Sequence, residues 1–206
     1  MKKSIQLILS FYIIVLLNGC EKEDNGATNN ITGVGDVVTE TLDLSSFQSI
    51  KNTGVANIYV TVGDTQSVVL KAQQNIIDVM TYETNNGTLE IGIQNNTSIR
   101  ESKGIVFEIT IPEIDKIELI GVGDFELSGD SQDELYIILT GVGSVRAYNL
   151  EVDVCHITST GVGNCQVRVN NTLNVTITGV GSVYYKGNPA ISSTITGLGK
   201  LVDDND

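Results

Sequence analysis

The sequence predicts an all-β fold, a right-handed parallel β-helix wound as a solenoid of coils about 18–20 residues long, with a less regular N-terminal β section. Three observations predict it. The first is a repeat: Gly121-Val122-Gly123, Gly141-Val142-Gly143, Gly161-Val162-Gly163, Gly179-Val180-Gly181 and Gly197-Leu198-Gly199 have first glycines 20, 20, 18 and 18 residues apart. The second is alternation. Ile117, Ile137, Ile157 and Val175 stand four before the first glycine, Leu119, Leu139 and Ile177 two before, and Phe125, Val145, Cys165 and Val183 four after, with mostly polar residues between. Period two marks strands with one buried face. The third is that no stretch of the repeat region sustains a helical period of 3.6.

Residues 1–19 read as a signal peptide. Lys2 and Lys3 precede an apolar run from Ile5 to Leu17 that is too short for a comfortable membrane span. Leu17-Asn18-Gly19-Cys20 resembles a bacterial lipobox, which makes Cys20 the lipidated first residue of the mature chain and its lipid the anchor to a membrane. Residues 20–30 are then a polar tether, and Glu21-Lys22-Glu23-Asp24 resembles the surface-export tag of some Gram-negative lipoproteins. The expected address is the outer membrane, facing the cell surface. Losing residues 1–19 removes two lysines and no acid, leaving 10 basic residues against 25 acidic ones, a net charge of −15. Such a chain is a poor ligand for nucleic acid.

Residues 31–112 form the N-terminal section. Strands are expected at Asn57–Val62, Ser67–Ala72, Asp78–Glu83, Thr88–Ile93 and Ile105–Ile111, with turns at Gly63-Asp64 and Asn85-Asn86-Gly87. Residues 113–206 form the regular coils, closed by a polar terminus at Asp203-Asp204-Asn205-Asp206. Each coil reads as strand, glycine corner, strand. Strands stacked about 4.8 Å apart leave little room for a Cβ at a sharp corner. The Val between the glycines is expected to point inward, and Thr140, Thr160, Thr178 and Thr196 to stack in a ladder.

Phe47-Gln48-Ser49-Ile50, then Thr53-Gly54-Val55-Ala56-Asn57-Ile58, Gly63-Asp64 and Gly87-Thr88-Leu89 lead into the glycine repeats. Over roughly residues 31 to 201 this order resembles the head GIN domain of auto-transporter adhesins, a family of unknown function common in exported proteins of Gram-negative bacteria. The resemblance implies a β-helical fold and an adhesive role, and it supplies no catalytic residues.

Chemical motifs are sparse. A dinucleotide loop needs a third glycine and a following helix, but Arg146 and Gln166 stand where that glycine would be. Calcium repeats need Asp after the second glycine in every coil, and Ser144, Asn164, Ser182 and Lys200 replace it. The lone His156 with Cys155 and Cys165 completes no zinc pattern, so no metal and no cofactor are expected. Both cysteines fall in inward columns and are expected as buried free thiols. From the Gly121 tier to the Gly179 tier, the outward columns five and seven residues past the first glycine hold one acid, Glu126, so paired-carboxylate catalysis has no place there. The same columns bring Arg146, Tyr148, Arg168, Tyr184 and Lys186 into a basic, aromatic stripe suited to a glycan or a host or matrix protein. The expected function is a surface-anchored binding or adhesion module without enzymatic activity. The alternatives are a structural envelope protein without a specific ligand and a polysaccharide-active enzyme, which a clustered acidic cleft would favour.

Overall fold

The computed structural model describes residues 28–205. The expected signal peptide, Cys20 and most of the expected tether lie outside the described residues. The strands are β1 (Asn29–Thr32), β2 (Val37–Leu42), β3 (Ser49–Asn52), β4 (Asn57–Val62), β5 (Ser67–Gln73), β6 (Met80–Asn85), β7 (Thr88–Ile93), β8 (Thr97–Glu101), β9 (Val106–Ile111), β10 (Lys116–Leu119), β11 (Phe125–Gly129), β12 (Gln132–Leu139), β13 (Val145–Ser159), β14 (Cys165–Ile177), β15 (Val183–Lys186), β16 (Ala190–Ile195) and β17 (Leu201–Asp203). A single helical turn, α1 (Gln74–Ile77), follows β5. The alternation foretells the strands well: in β4, Ile58, Val60 and Val62 are buried while Asn57, Tyr59 and Thr61 are exposed. Asn86 and Gly87 take φ of 49° and 73°, the left-handed pair that a tight hairpin between β6 and β7 requires.

The all-β class holds, but the right-handed parallel β-helix does not. Fifteen strands form one mixed sheet, whose main path runs β2-β5-β9-β4-β11-β13-β12-β10-β3-β7-β6, curled into a half-barrel. β13 makes the curl: its first part pairs with β11 and its second with β12, so one long strand carries the sheet from one wall to the other. Parallel ladders join β10, β12, β13, β14 and β16, whereas β2, β5 and β9, and β6 with β7, pair antiparallel. The physical reason is that the glycine repeat specifies only the parallel stacking of its own tiers. It says nothing of the antiparallel strands that extend the sheet at its other end. Residues 31–112 supply the first strands of the same ladders: β3 continues the ladder of β10, and β4 that of β11.

The core lies inside the curl. Ile117, Ile137, Ile157, Leu119, Leu139, Phe125, Val145 and Val183 are all buried, as their columns predict. The valines between the glycines are not: Val122, Val142, Val162 and Val180 are about half exposed and face outward, contrary to expectation. Alternation itself explains this: Leu139 and Val145 are inward, and Val142, three residues from each, falls on the outward parity, so the inward expectation ran against its own columns. The glycines are required as inferred. A Cβ on Gly141 would collide with the Gly121 carbonyl oxygen, and one on Gly143, whose φ is 147°, with that of Gly123.

A polar ladder fixes the same corners. The Asp124 N–H donates to Asn57 Oδ1 (3.1 Å), Ser144 N–H to Asp124 Oδ1 (2.7 Å) and Asn164 N–H to Ser144 Oγ (3.3 Å). Ser182 N–H then donates to Asn164 Oδ1 (2.9 Å) and Lys200 N–H to Ser182 Oγ (3.2 Å). Any short side chain with an acceptor oxygen serves, which is why Asn, Asp and Ser alternate there without a calcium pattern.

Candidate functional site

The stripe residues come from three strands on one outer face. Arg146 and Tyr148 lie on β13, Arg168 on β14, and Tyr184 and Lys186 on β15. Arg146, Gln166 and Tyr184 stack in register as expected. The second column does not: Arg168 pairs with Lys186 but stands opposite Glu151 rather than Tyr148. The cause is the change in repeat length. Val145 aligns with Cys165, 20 residues on, and Cys155 with Leu173, 18 residues on. The sheet absorbs the difference through register shifts between Ala147 and Glu151 and between Val152 and Val154, and Tyr148 sits in the first of these.

The structure still brings Tyr148, Arg168 and Lys186 together. Lys186 Nζ lies 5.0 Å from the centre of the Tyr148 ring, a cation–π distance. Arg168 Nε donates to the Tyr148 carbonyl oxygen at 3.0 Å. The Tyr148 hydroxyl donates to Asp204 at 2.6 Å, and burial, with Asp204 second, pushes its pKa well up. Tyr148, Asn149, Glu151, Arg168, Asp130 and Ser131 line a groove of about 450 Å³. Acids accompany the stripe cations: Arg146 pairs with Asp124 at 2.9 Å and Arg168 with Glu151 at 3.9 Å. The columns read from Gly121 to Gly179 miss these partners, because Asp124 belongs to the corner ladder and Asp204 stands one tier further on, seven residues past Gly197. Its one signal is position: Asp204 follows Lys186 by 18 residues, one repeat length.

A second cluster lies on the other wall. Lys116, Tyr136, His156, Asn174 and Ser192 share one outward column, as read from the sequence. Tyr136 and His156 stack at 4.5 Å between ring centres, and Glu134 accepts hydrogen bonds from the Tyr136 hydroxyl and His156 Nε2, both at 2.9 Å. Beside them a groove of about 500 Å³ is lined by Glu113, Asp115, Asp133 and Glu134. Burial, then Glu113 and Glu134, raise the Asp115 carboxyl above the usual range. These acids lie in the turns before β10 and at the start of β12, outside the columns that the repeat makes legible. Cys155 and Cys165 are buried free thiols, as expected. No helix among the described residues is long and apolar enough to cross a membrane.

The family model described as "Putative auto-transporter adhesin, head GIN domain" matches residues 46–133 and again 118–189. Among solved structures, the chain is similar to a putative adhesin from Bacteroides fragilis, at 23% identity and a TM-score of 0.61, covering 83% of this chain and 98% of that one. It is also similar to a putative lipid binding protein from Parabacteroides distasonis, at 18% identity and a TM-score of 0.47, covering 85% and 100%. Among curated proteins, none matches.

Proposed function

Because this chain belongs to the family of putative auto-transporter adhesin head GIN domains, we propose that it is a binding module held at the bacterial surface by a lipid on Cys20, and that it binds its ligand without turnover. The observation that carries the reading is the groove at Tyr148. Its side chain is held at two points, by Asp204 at the hydroxyl and Lys186 over one face, and Arg168 fixes the main chain beneath it through the Tyr148 carbonyl oxygen. An aromatic face fixed in advance beside acceptors and donors suits an uncharged or weakly acidic glycan, since little side-chain freedom is lost on binding. A glycan and matrix-protein array probed with the full mature chain tests it. We expect glycan binding that Tyr148→Ala reduces at least tenfold, the loss of about 1.4 kcal/mol. Unchanged binding by this variant, with its fold intact by circular dichroism, would remove the groove from the proposal.

One observation favours a different reading, a polysaccharide-active enzyme: the groove lined by four acids, in which the Asp115 carboxyl is raised. A raised carboxyl among others is the usual environment of a general acid in glycoside hydrolysis. New reducing ends from an array glycan, abolished by Asp115→Asn, would support it. Retention of the glycan without cleavage supports the binding module.

A further inference from the structure

The sheet ends openly at the C-terminal tier. Among the described residues β16 pairs only with β14, and β17 only with β15, so each presents a free row of N–H and C=O groups. The core is left open there too. Ile191 and Ile195 continue the columns of Leu173 and Ile177, which are fully buried, yet they are 43% and 39% exposed. Leu198 continues the corner valines and is 82% exposed against 48% for Val180, the difference being the face that a further tier would cover.

Open edges are normally blunted by charge, and at the opposite end they are. β2 carries Glu40 and β6 carries Glu83, and the two edges approach each other, with Glu40 beside the Tyr82 hydroxyl. By contrast, residues 187–199 contain no charged residue in a chain of net charge −13. β17 at the same end carries Asp203, so among these edges it is β16 that lets a second copy approach without meeting like charge.

We propose that β16 is a self-recognition edge that pairs antiparallel with β16 of a second copy about a two-fold axis. The register follows from the sequence Ala190-Ile191-Ser192-Ser193-Thr194-Ile195. Centring the axis on Ser193 sets Ile191 opposite Ile195 of the second copy, and Ile195 opposite its Ile191. All three inward positions then face inward positions, so the two cores join across the interface. A shift of the pairing by one residue would set inward against outward side chains. The contact is self-complementary, as a two-fold interface must be, and it satisfies the free backbone groups of both edges at once. The surface is separate from the Tyr148 groove, so its test stands apart from that of glycan binding.

Cysteine crosslinking of the full chain in membranes tests this. Directly opposed residues of an antiparallel pair have Cα atoms about 4.5–5.5 Å apart, inside the disulfide range. Ser193→Cys should therefore give a linked dimer under mild oxidation, above the level of the parent chain with its own cysteines. Ser102→Cys, exposed and away from the edge, should stay at the parent level. Adding Ile195→Lys to Ser193→Cys should remove the linked species, while circular dichroism shows the same fold as Ser193→Cys. A monomer with Ser193→Cys, equal linking by Ser102→Cys, or linking that survives Ile195→Lys would each overturn the proposal.

Discussion

The corner at Gly54 and those from Gly141 onward solve the same problem differently. In the later tiers two glycines let backbone lie on backbone, and Leu139 or Ile177 fills the core two residues before. In the N-terminal section Ala56 replaces the second glycine, and Asn52 replaces that leucine. Asn52 is fully buried and acts as the fastener: its Oδ1 accepts the Gly54 N–H at 3.0 Å, and its Nδ2 donates to the Ala56 carbonyl oxygen at 3.2 Å. A corner stacked on both sides is held by shape, through residues too small to collide. The corner that begins the stack is held by a side chain. The repeat signal fades toward the N-terminus because the same turn is made there by other chemistry.

The largest expected effect breaks the shape-held corner. Gly143→Ala places a Cβ against the Gly123 carbonyl at a φ of 147° and should cost about 4 kcal/mol in chemical denaturation. Gly104→Ala, also at positive φ but with open space around it, should cost only about 1 kcal/mol. Similar losses at both sites would show that backbone strain, and not stacking, sets the requirement. Next, Asn52→Leu imports the residue of the later tiers into the first corner. It leaves the buried Gly54 N–H without its acceptor and should cost about 3 kcal/mol. A neutral result would make the two corners equivalent.

A third effect is a pH dependence set by a thiol of the later tiers. Burial pushes the Cys155 thiol from 9.0 up to about 12. The folded state therefore keeps a proton that the unfolded state gives up. This stabilisation is complete below pH 9 and is lost as pH rises from 9 towards 12. At pH 11 the parent chain should have lost on the order of 2 kcal/mol more than Cys155→Val, each relative to its own stability at pH 8. Parallel pH profiles for the two proteins would refute it.

How much could be read from the sequence follows the same division. Wherever strand alternation operates, residues were placed correctly: Ile117, Leu139, Val145 and Cys165 all face the core, and Tyr136, His156 and Asn174 share an outer column. Val142 faces outward by the same alternation, being three residues from both Leu139 and Val145, so the inward expectation ran against the parity of its own columns. Tyr148 left its column because the tier shortens by two residues within β13, and a fixed count past the glycine cannot register that. The antiparallel pairing of β5 with β2 and β9 leaves no periodic trace, so the repeat suggested a uniform helix where the chain builds a mixed, curled sheet. The acids Asp124, Glu151 and Asp204 reach the stripe from a corner, from the far side of a register shift and from the tail. No single column unites them.

The ladder that runs from Asn57 to Lys200 has a consequence for height. Each rung asks only for an oxygen from the tier before and an N–H from the tier after, and Asn, Asp and Ser meet the demand alike. Tiers are therefore interchangeable at the corner, and one more or one fewer alters the molecule chiefly by a step of about 4.8 Å. Under the anchor proposed at Cys20, tier number becomes a ruler: whole tiers gained or lost would set how far the outer face stands from the membrane.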